Sequence, residues 1–116
     1  MTLEQFYDTF GGDYKKTISR LSSEALVKKF VLKYANDRTC LELADAIESQ
    51  DWSAAFRAAH TLKGIALNLG LDSLYTVSSE LTEVLRGGRP LTDMSLWTVV
   101  DEKHKQIVDA IAQIDV

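Results

Sequence analysis

The segment best equipped for chemistry lies near the middle of the chain, where His60, Lys63 and Gly64 follow one another at helical spacing. Residues three and four apart lie on one side of an α-helix, so the imidazole, the ammonium group and the glycine would be neighbours. Glycine inside a helix costs about 0.5–1 kcal/mol relative to alanine, and it usually marks a place where another group must come close. A nucleophilic imidazole beside a cation and an open space suits reaction with an anionic group. A phosphoryl group is the first candidate.

A helical wheel of residues 51–69 indicates where His60 points. At about 100° per residue, the apolar side chains of this segment gather into a single arc. They are Trp52, Ala55, Phe56, Ala59, Leu62, Ala66 and Leu69. His60 lies about 120° from the centre of that arc, and Lys63 lies between His60 and the arc. The spacing therefore places His60 at the exposed rim of the helix, beside Gly64.

Length, composition and charge predict one cytoplasmic domain. The chain has 116 residues, of which 46% are hydrophobic and 26% charged, and its net charge of −4 argues against a nucleic-acid partner. A lone cysteine, Cys40, cannot form an internal disulfide, which favours a reducing compartment. The first residues lack the pattern of a secretory signal, and no apolar run approaches the roughly 18 residues of a membrane span. We expect no membrane partner and a monomeric state.

Glycine and proline divide the chain into helical segments without any strand-like alternation. The predicted segments cover residues 3–10, 13–20, 23–49, 51–69, 71–86 and a last one from Thr92 or Asp93 to near the end. The third segment reads as one long helix, with a kink near Asn36 as an option. Asp51 is a suitable N-cap, and Gly70 a suitable residue just beyond the end of the same helix. The pattern predicts an all-α fold: an antiparallel up-down-up-down four-helix bundle over residues 22–116, with short N-terminal capping helices in residues 1–21.

The residues around His60 also resemble a known family, the histidine-containing phosphotransfer (HPt) domains of multistep two-component signalling. The family motif is Ala-His-x-Leu-Lys-Gly, followed by a small residue, a glycine and a leucine at fixed offsets. These positions are Ala59, His60, Leu62, Lys63, Gly64, Ala66, Gly70 and Leu74. The similarity extends upstream to Phe30 and downstream to Arg86, so it covers most of the predicted bundle.

The resemblance implies a phosphorelay intermediate with no autonomous kinase activity. His60 would accept a phosphoryl group through Nε2 from the phosphoaspartate of a receiver domain and pass it to another receiver aspartate. Lys63 would neutralise part of the phosphoryl charge, and Gly64 would leave room for the receiver. The partners would be receiver domains of response regulators and hybrid histidine kinases. Because the receiver supplies Mg²⁺, no cofactor or metal of this chain's own is implied.

The family also implies a polar group on the following helix that orients the histidine ring by accepting a hydrogen bond from Nδ1–H. That position falls on Thr82, where members more often carry glutamine or glutamate. Thr82 reaches less far, and Glu83 or Asn68 are alternatives. An apolar docking surface is expected around His60. Its candidate contacts are Leu67, Phe6 and Phe10.

Two other function classes stay open. One is an interaction module that binds a receiver or a kinase without transferring phosphate, although the intact His60 and Lys63 argue against it. The other is a metal-binding bundle, which would need paired Glu-x-x-His motifs. Arginine at position 57 and aspartate at position 101 stand where those glutamates would be. His104 falls on an inward stripe, which favours a partly buried histidine over a second phosphosite or a metal ligand, and Cys40 follows the core periodicity.

Overall fold

The structure of the protein, a computed structural model, describes residues 1–115, and these residues form helices without any strand. The helices are α1 (Leu3–Thr9), α2 (Tyr14–Leu21), α3 (Glu24–Tyr34), α4 (Thr39–Glu48), α5 (Trp52–Leu69), α6 (Asp72–Leu85), a 3₁₀ turn (Arg86–Gly88) and α7 (Ser95–Ile111). The all-α prediction is therefore confirmed. No helix within residues 1–115 is both long enough and apolar enough to span a membrane.

The prediction of one long helix over residues 23–49 is wrong, because the chain breaks between α3 and α4. The break contains Asn36 and Asp37, two weak helix formers whose short polar side chains compete with helical hydrogen bonds. The Asp37 carboxylate accepts a hydrogen bond of 2.8 Å from the backbone N–H of Thr39 at the start of α4. The kink foreseen near Asn36 is thus a complete interruption of the helix.

Both predicted ends of α5 are confirmed. The Asp51 side chain accepts a hydrogen bond from the backbone N–H of Ala54 at 3.2 Å, which caps the N-terminus of the helix. Gly70 adopts a left-handed conformation with φ 65°, and the next residue, Leu71, donates its N–H to the carbonyl of Ala66 at 2.9 Å. A side chain at position 70 would collide with Thr17 of α2. Only glycine satisfies both the conformation and the close contact.

Helix α5 lies centrally, between α4 on one side and α6 on the other, while α6 also packs against α7. Its inward face is made of small and medium apolar side chains, and Ala55, Ala59, Leu62 and Ala66 have no solvent exposure. The N-terminal helices cover the end of this core. Tyr7 of α1 is fully buried and donates its hydroxyl to the carbonyl of Leu69 at 2.6 Å, at the C-terminal end of α5. The core therefore holds α5 from several sides and leaves one edge free.

Candidate functional site

His60 lies on the free edge of α5 and is exposed to solvent, as its spacing predicted. The residue before it, Ala59, and the second residue after it, Leu62, are both completely buried. These two side chains fix the rotation of the helix, so the imidazole of His60 must face outward. The structure thus presents a histidine on a well-anchored helix without enclosing it in a pocket of its own.

Lys63 and Gly64 follow His60 by one helical turn, and Gly64 borders open space. Lys63 is partly buried, and Gly64 is exposed. Beyond its chain neighbours and the adjoining backbone of α5, a Cβ atom built at Gly64 meets no atom of residues 1–115 within 4 Å. By contrast, a Cβ atom at Gly12 would collide with the carbonyl of Gly70 and the ring of Tyr7. The fold gives a packing reason for glycine at position 12 but none at position 64, where the gap faces outward.

The aromatic ring of Phe56 stacks on the His60 ring, a contact that sequence analysis missed. The two ring centroids are 6.1 Å apart, and the ring planes differ by only 19°. Phe56 was assigned to the apolar arc of α5, but it is only partly buried. The signal available in the sequence was the four-residue spacing between the phenylalanine and the histidine, since such pairs meet on a helix surface.

Arg86 brings a second cation to this edge of the protein from the end of α6. Its guanidinium carbon lies 5.4 Å from the centroid of the Phe56 ring. The same guanidinium donates two hydrogen bonds to the Glu83 carboxylate, at 3.0 and 2.6 Å. These bonds lower the pKa of Glu83, and the nearby charges of Lys63 and Arg89 lower it further. Three cationic side chains therefore act on a single carboxylate, that of Glu83.

The hydroxyl of Thr82, the predicted ring-orienting group, is hydrogen-bonded within its own helix. Thr82 is fully buried, and its hydroxyl donates a hydrogen bond of 2.7 Å to the carbonyl of Ser78 within α6. No hydrogen bond to the His60 ring is present among residues 1–115. Of the alternatives, the Glu83 carboxylate is engaged by Arg86. The backbone carbonyl of Asn68 accepts a hydrogen bond from Arg20 at 3.2 Å, and this bond leaves the Asn68 side chain uninvolved. The geometry therefore gives no support to an orienting role for Thr82.

The second histidine and the cysteine both make packing contacts in this fold. His104 is partly buried, and its Nδ1 is hydrogen-bonded to the hydroxyl of Tyr34 at 2.7 Å, which joins α7 to α3. Burial lowers the pKa of His104. Cys40 is buried in the core, and this burial raises the pKa of its thiol to about 12. Residues 1–115 contain no group of three or more histidine, cysteine, aspartate or glutamate side chains placed to hold a metal ion.

Apolar surface lies near His60, but it does not include the predicted N-terminal phenylalanines. Leu67, two turns beyond His60 on α5, is 50% exposed. Phe6 and Phe10 are 0% and 9% exposed, so the prediction that they contact a partner is wrong. They fill the core beneath α1, because a short helix buries its whole apolar face. A cleft of about 400 Å³ opens instead between α2, α3 and α5, with Phe30 and Ile65 in its walls.

Comparison with known proteins gives one informative result. No curated protein and no solved structure matches the chain. The family model described as Hpt domain matches residues 35–115, which is well over half of the chain and includes His60, Lys63 and Gly64. Hpt domains take part in phosphotransfer in two-component signalling, and they are in general phosphocarriers that interact with receiver domains. The chain belongs to the Hpt domain family.

Proposed function

We propose that this protein is a phosphorelay intermediate that carries a phosphoryl group on His60 between receiver domains. The observation that carries the proposal is the combination of an exposed imidazole, a cation one turn away and an unfilled gap at Gly64. The core requires none of these three features. Together they form a reactive edge on an otherwise ordinary helix. Membership of the Hpt family supports the assignment of phosphotransfer to that edge.

In the proposed reaction, the lone pair of His60 Nε2 attacks the phosphorus atom of a receiver phosphoaspartate. The N–P bond forms as the bond from phosphorus to the aspartate oxygen breaks, and the carboxylate leaves with the electron pair. The proton on Nδ1 stays on the ring. The same step in the opposite sense transfers the group to the aspartate of a second receiver. The receivers bring the Mg²⁺, and this chain brings the nucleophile.

Lys63 would contribute electrostatic stabilisation. Charge accumulates on the phosphoryl oxygens during in-line transfer, and a positioned cation lowers the energy of that transition state. Lys63 lies on the same side of α5 as His60, one turn toward the C-terminus, and is held partly buried there. Its ammonium group would act on the phosphoryl oxygens while a docked receiver excludes water from the site.

The receiver would dock on the apolar surface beside His60. Gly64 and the half-exposed Leu67 lie on the same edge of α5. The cleft between α2, α3 and α5 reaches the C-terminal part of the same helix through Ile65 and Asn68. Lys33, Asp37 and Asn68 add polar groups to its lining. An apolar centre with a polar rim is typical of protein interfaces. Such a surface would bring the receiver aspartate to the His60 ring.

Several features of the sequence prediction belong to the same proposal. We propose one domain, monomeric and cytoplasmic, without a cofactor of its own and without a nucleic-acid partner. We also propose that the segment made of α3 and α4, together with α5, α6 and α7, forms an antiparallel four-helix bundle, with residues 1–21 as its cap. The two-residue link between α5 and α6 supports this topology, because a link so short favours antiparallel neighbours.

The decisive experiment is transfer from a panel of phosphorylated receiver domains to the wild-type protein and to His60→Gln. Label should appear rapidly on the wild-type protein as an acid-labile phosphoramidate and should be absent from His60→Gln. Lys63→Ala should transfer at least about tenfold more slowly, a smaller loss than the roughly 10²–10³ that follows removal of a fully preorganised donor, because a flexible lysine is less fixed. Leu67→Ala should weaken receiver binding, and His104→Gln is the matched control that should keep full transfer.

Two other results would contradict the proposal, and each would favour a different function or acceptor. Receiver binding by the wild-type protein without any phosphotransfer would favour the interaction module. Transfer that persists in His60→Gln but disappears in His104→Gln would identify the other histidine as the acceptor.

A further inference from the structure

We infer that Phe56 is a positioning residue that sets the plane of the His60 ring through the aromatic stack. The inference rests on the proposed function, since ring orientation is useful only if His60 reacts. It starts from the finding that no side chain of residues 1–115 is hydrogen-bonded to the ring. Thr82, at the position where a ring-orienting group was expected, bonds to Ser78 instead.

The imidazole has a nearly parallel aromatic ring as its neighbour in place of a directional hydrogen bond. Phe56 and His60 are one turn apart on α5, with ring centroids 6.1 Å apart and planes within 19° of each other. This separation lies within the range in which aromatic rings attract each other, about 4.5–7 Å. Because Phe56 is partly buried against the core, its ring is a fixed surface for the more exposed imidazole.

Arg86 holds the stack from a different element. Its guanidinium group lies 5.4 Å from the Phe56 centroid, within the range of a cation–π contact. Its two hydrogen bonds to Glu83, at 3.0 and 2.6 Å, limit the positions that the guanidinium can take. The contacts therefore run from Glu83 through Arg86 and Phe56 to His60, so that the end of α6 restrains a ring on α5.

The plane of the ring matters because the lone pair of Nε2 lies in it. In-line attack requires that lone pair to point at the phosphorus atom. A fixed ring plane therefore limits the directions in which Nε2 can attack a phosphoryl group. A stack does not distinguish the ring from its 180° flip about χ2, nor does it select a tautomer. We therefore expect Phe56 to set the plane of the ring while leaving its tautomers to exchange freely.

The experiment combines NMR of the His60 ring with transfer kinetics in three variants and a control. Phe56→Leu should move the His60 ring-proton resonances, because the ring current of Phe56 disappears, and should leave the tautomer ratio unchanged. Its maximal transfer rate should fall about three- to tenfold, the equivalent of losing one aromatic pair, with no change in the half-saturating receiver concentration. Phe56→Tyr should restore both readouts. Arg86→Gln, a substitution of an exposed residue, should change the ring-proton resonances and the transfer rate in the same direction as Phe56→Leu, but by a smaller amount.

Tyr75→Leu is the matched control. It removes a different partly buried aromatic ring, which lies on α6, and it should alter neither the His60 resonances nor the transfer rate. Unchanged ring-proton resonances in Phe56→Leu would show that the stack does not form. Shifted resonances with an unchanged transfer rate would show that the stack forms without positioning the ring for reaction; either result overturns the inference. If the wild-type protein accepts phosphate from no receiver, the proposed function fails and the positioning role fails with it, while the resonances still report separately whether the stack exists.

Discussion

Replacing Gly64 with alanine should separate the requirements of the fold from those of phosphotransfer. Gly64 lies inside α5 with φ in the range that any residue adopts. Beyond the adjoining backbone of its own helix, a Cβ atom there meets no atom of residues 1–115 within 4 Å. Alanine therefore adds no strain and no clash. It restores the helix propensity that glycine lacks, which amounts to about 0.5–1 kcal/mol. We expect Gly64→Ala to be more stable than the wild-type protein.

The size of the effect follows from the length of the chain. An unfolding entropy of about 2.1 cal/mol/K per residue, applied to 116 residues, converts this gain into a rise in Tm of about 2–4 °C. Phosphotransfer should change in the opposite direction, because the new methyl group occupies space that a docked receiver would use beside His60. A displacement of about 1 Å at the reacting atoms can cost about a hundredfold in rate, so a loss of at least about tenfold is expected.

Calorimetry and single-turnover transfer on the same preparation would measure both effects. Gly70→Ala is the matched control, because position 70 has φ 65° and its Cβ atom would collide with Thr17; its Tm should fall. A rise in Tm with undiminished transfer in Gly64→Ala would refute the argument that the gap serves a partner. A fall in Tm would show instead that the fold itself needs glycine at this position.

Two further predictions concern the buried titratable groups. Burial lowers the pKa of His104 in the fold. As the pH falls, this histidine is therefore protonated in the unfolded chain at a higher pH than in the folded protein, and the free energy of unfolding should decrease from about pH 6.5 downward. Urea unfolding at pH 7.5 and 5.5 would measure this decrease, which His104→Gln should reduce; an identical pH dependence in the variant would contradict the assignment. Since burial raises the pKa of Cys40 to about 12, its thiol should resist alkylation at pH 8 in the native protein and react readily in urea. Rapid alkylation of the native protein would show that Cys40 is accessible.

The parts of the fold that the sequence predicted correctly depend on local signals. Asp51 and Gly70 mark the ends of α5 because a capping carboxylate and a left-handed glycine act within one turn of the chain. The outward position of His60 followed from the apolar spacing of its own helix. The break between α3 and α4 also has a local signal, because Asn36 and Asp37 are weak helix formers.

The parts that were missed depend on contacts between distant elements. Phe6 and Phe10 looked available to a partner because nothing in the first helix alone shows which element covers it. Arg86 reaches Phe56 from thirty positions later in the chain, and only packing of α6 on α5 brings the two together. The orienting role of Thr82, by contrast, stays a prediction: its hydroxyl donates to a carbonyl of its own helix, and no hydrogen bond to the His60 ring is present within residues 1–115.

The two sides of helix α5 differ in role: the inward side packs in the core, and the outward side carries the residues proposed to react. Its inward residues, such as Ala59 and Leu62, are fully buried and hold the helix at the centre of the core. Its outward edge carries His60 and Gly64, which no core contact requires. A buried helix resists rotation because its small inward side chains fit closely against its neighbours. An exposed imidazole can therefore keep a defined direction without a pocket around it, which suits a residue that must react in turn with more than one protein surface.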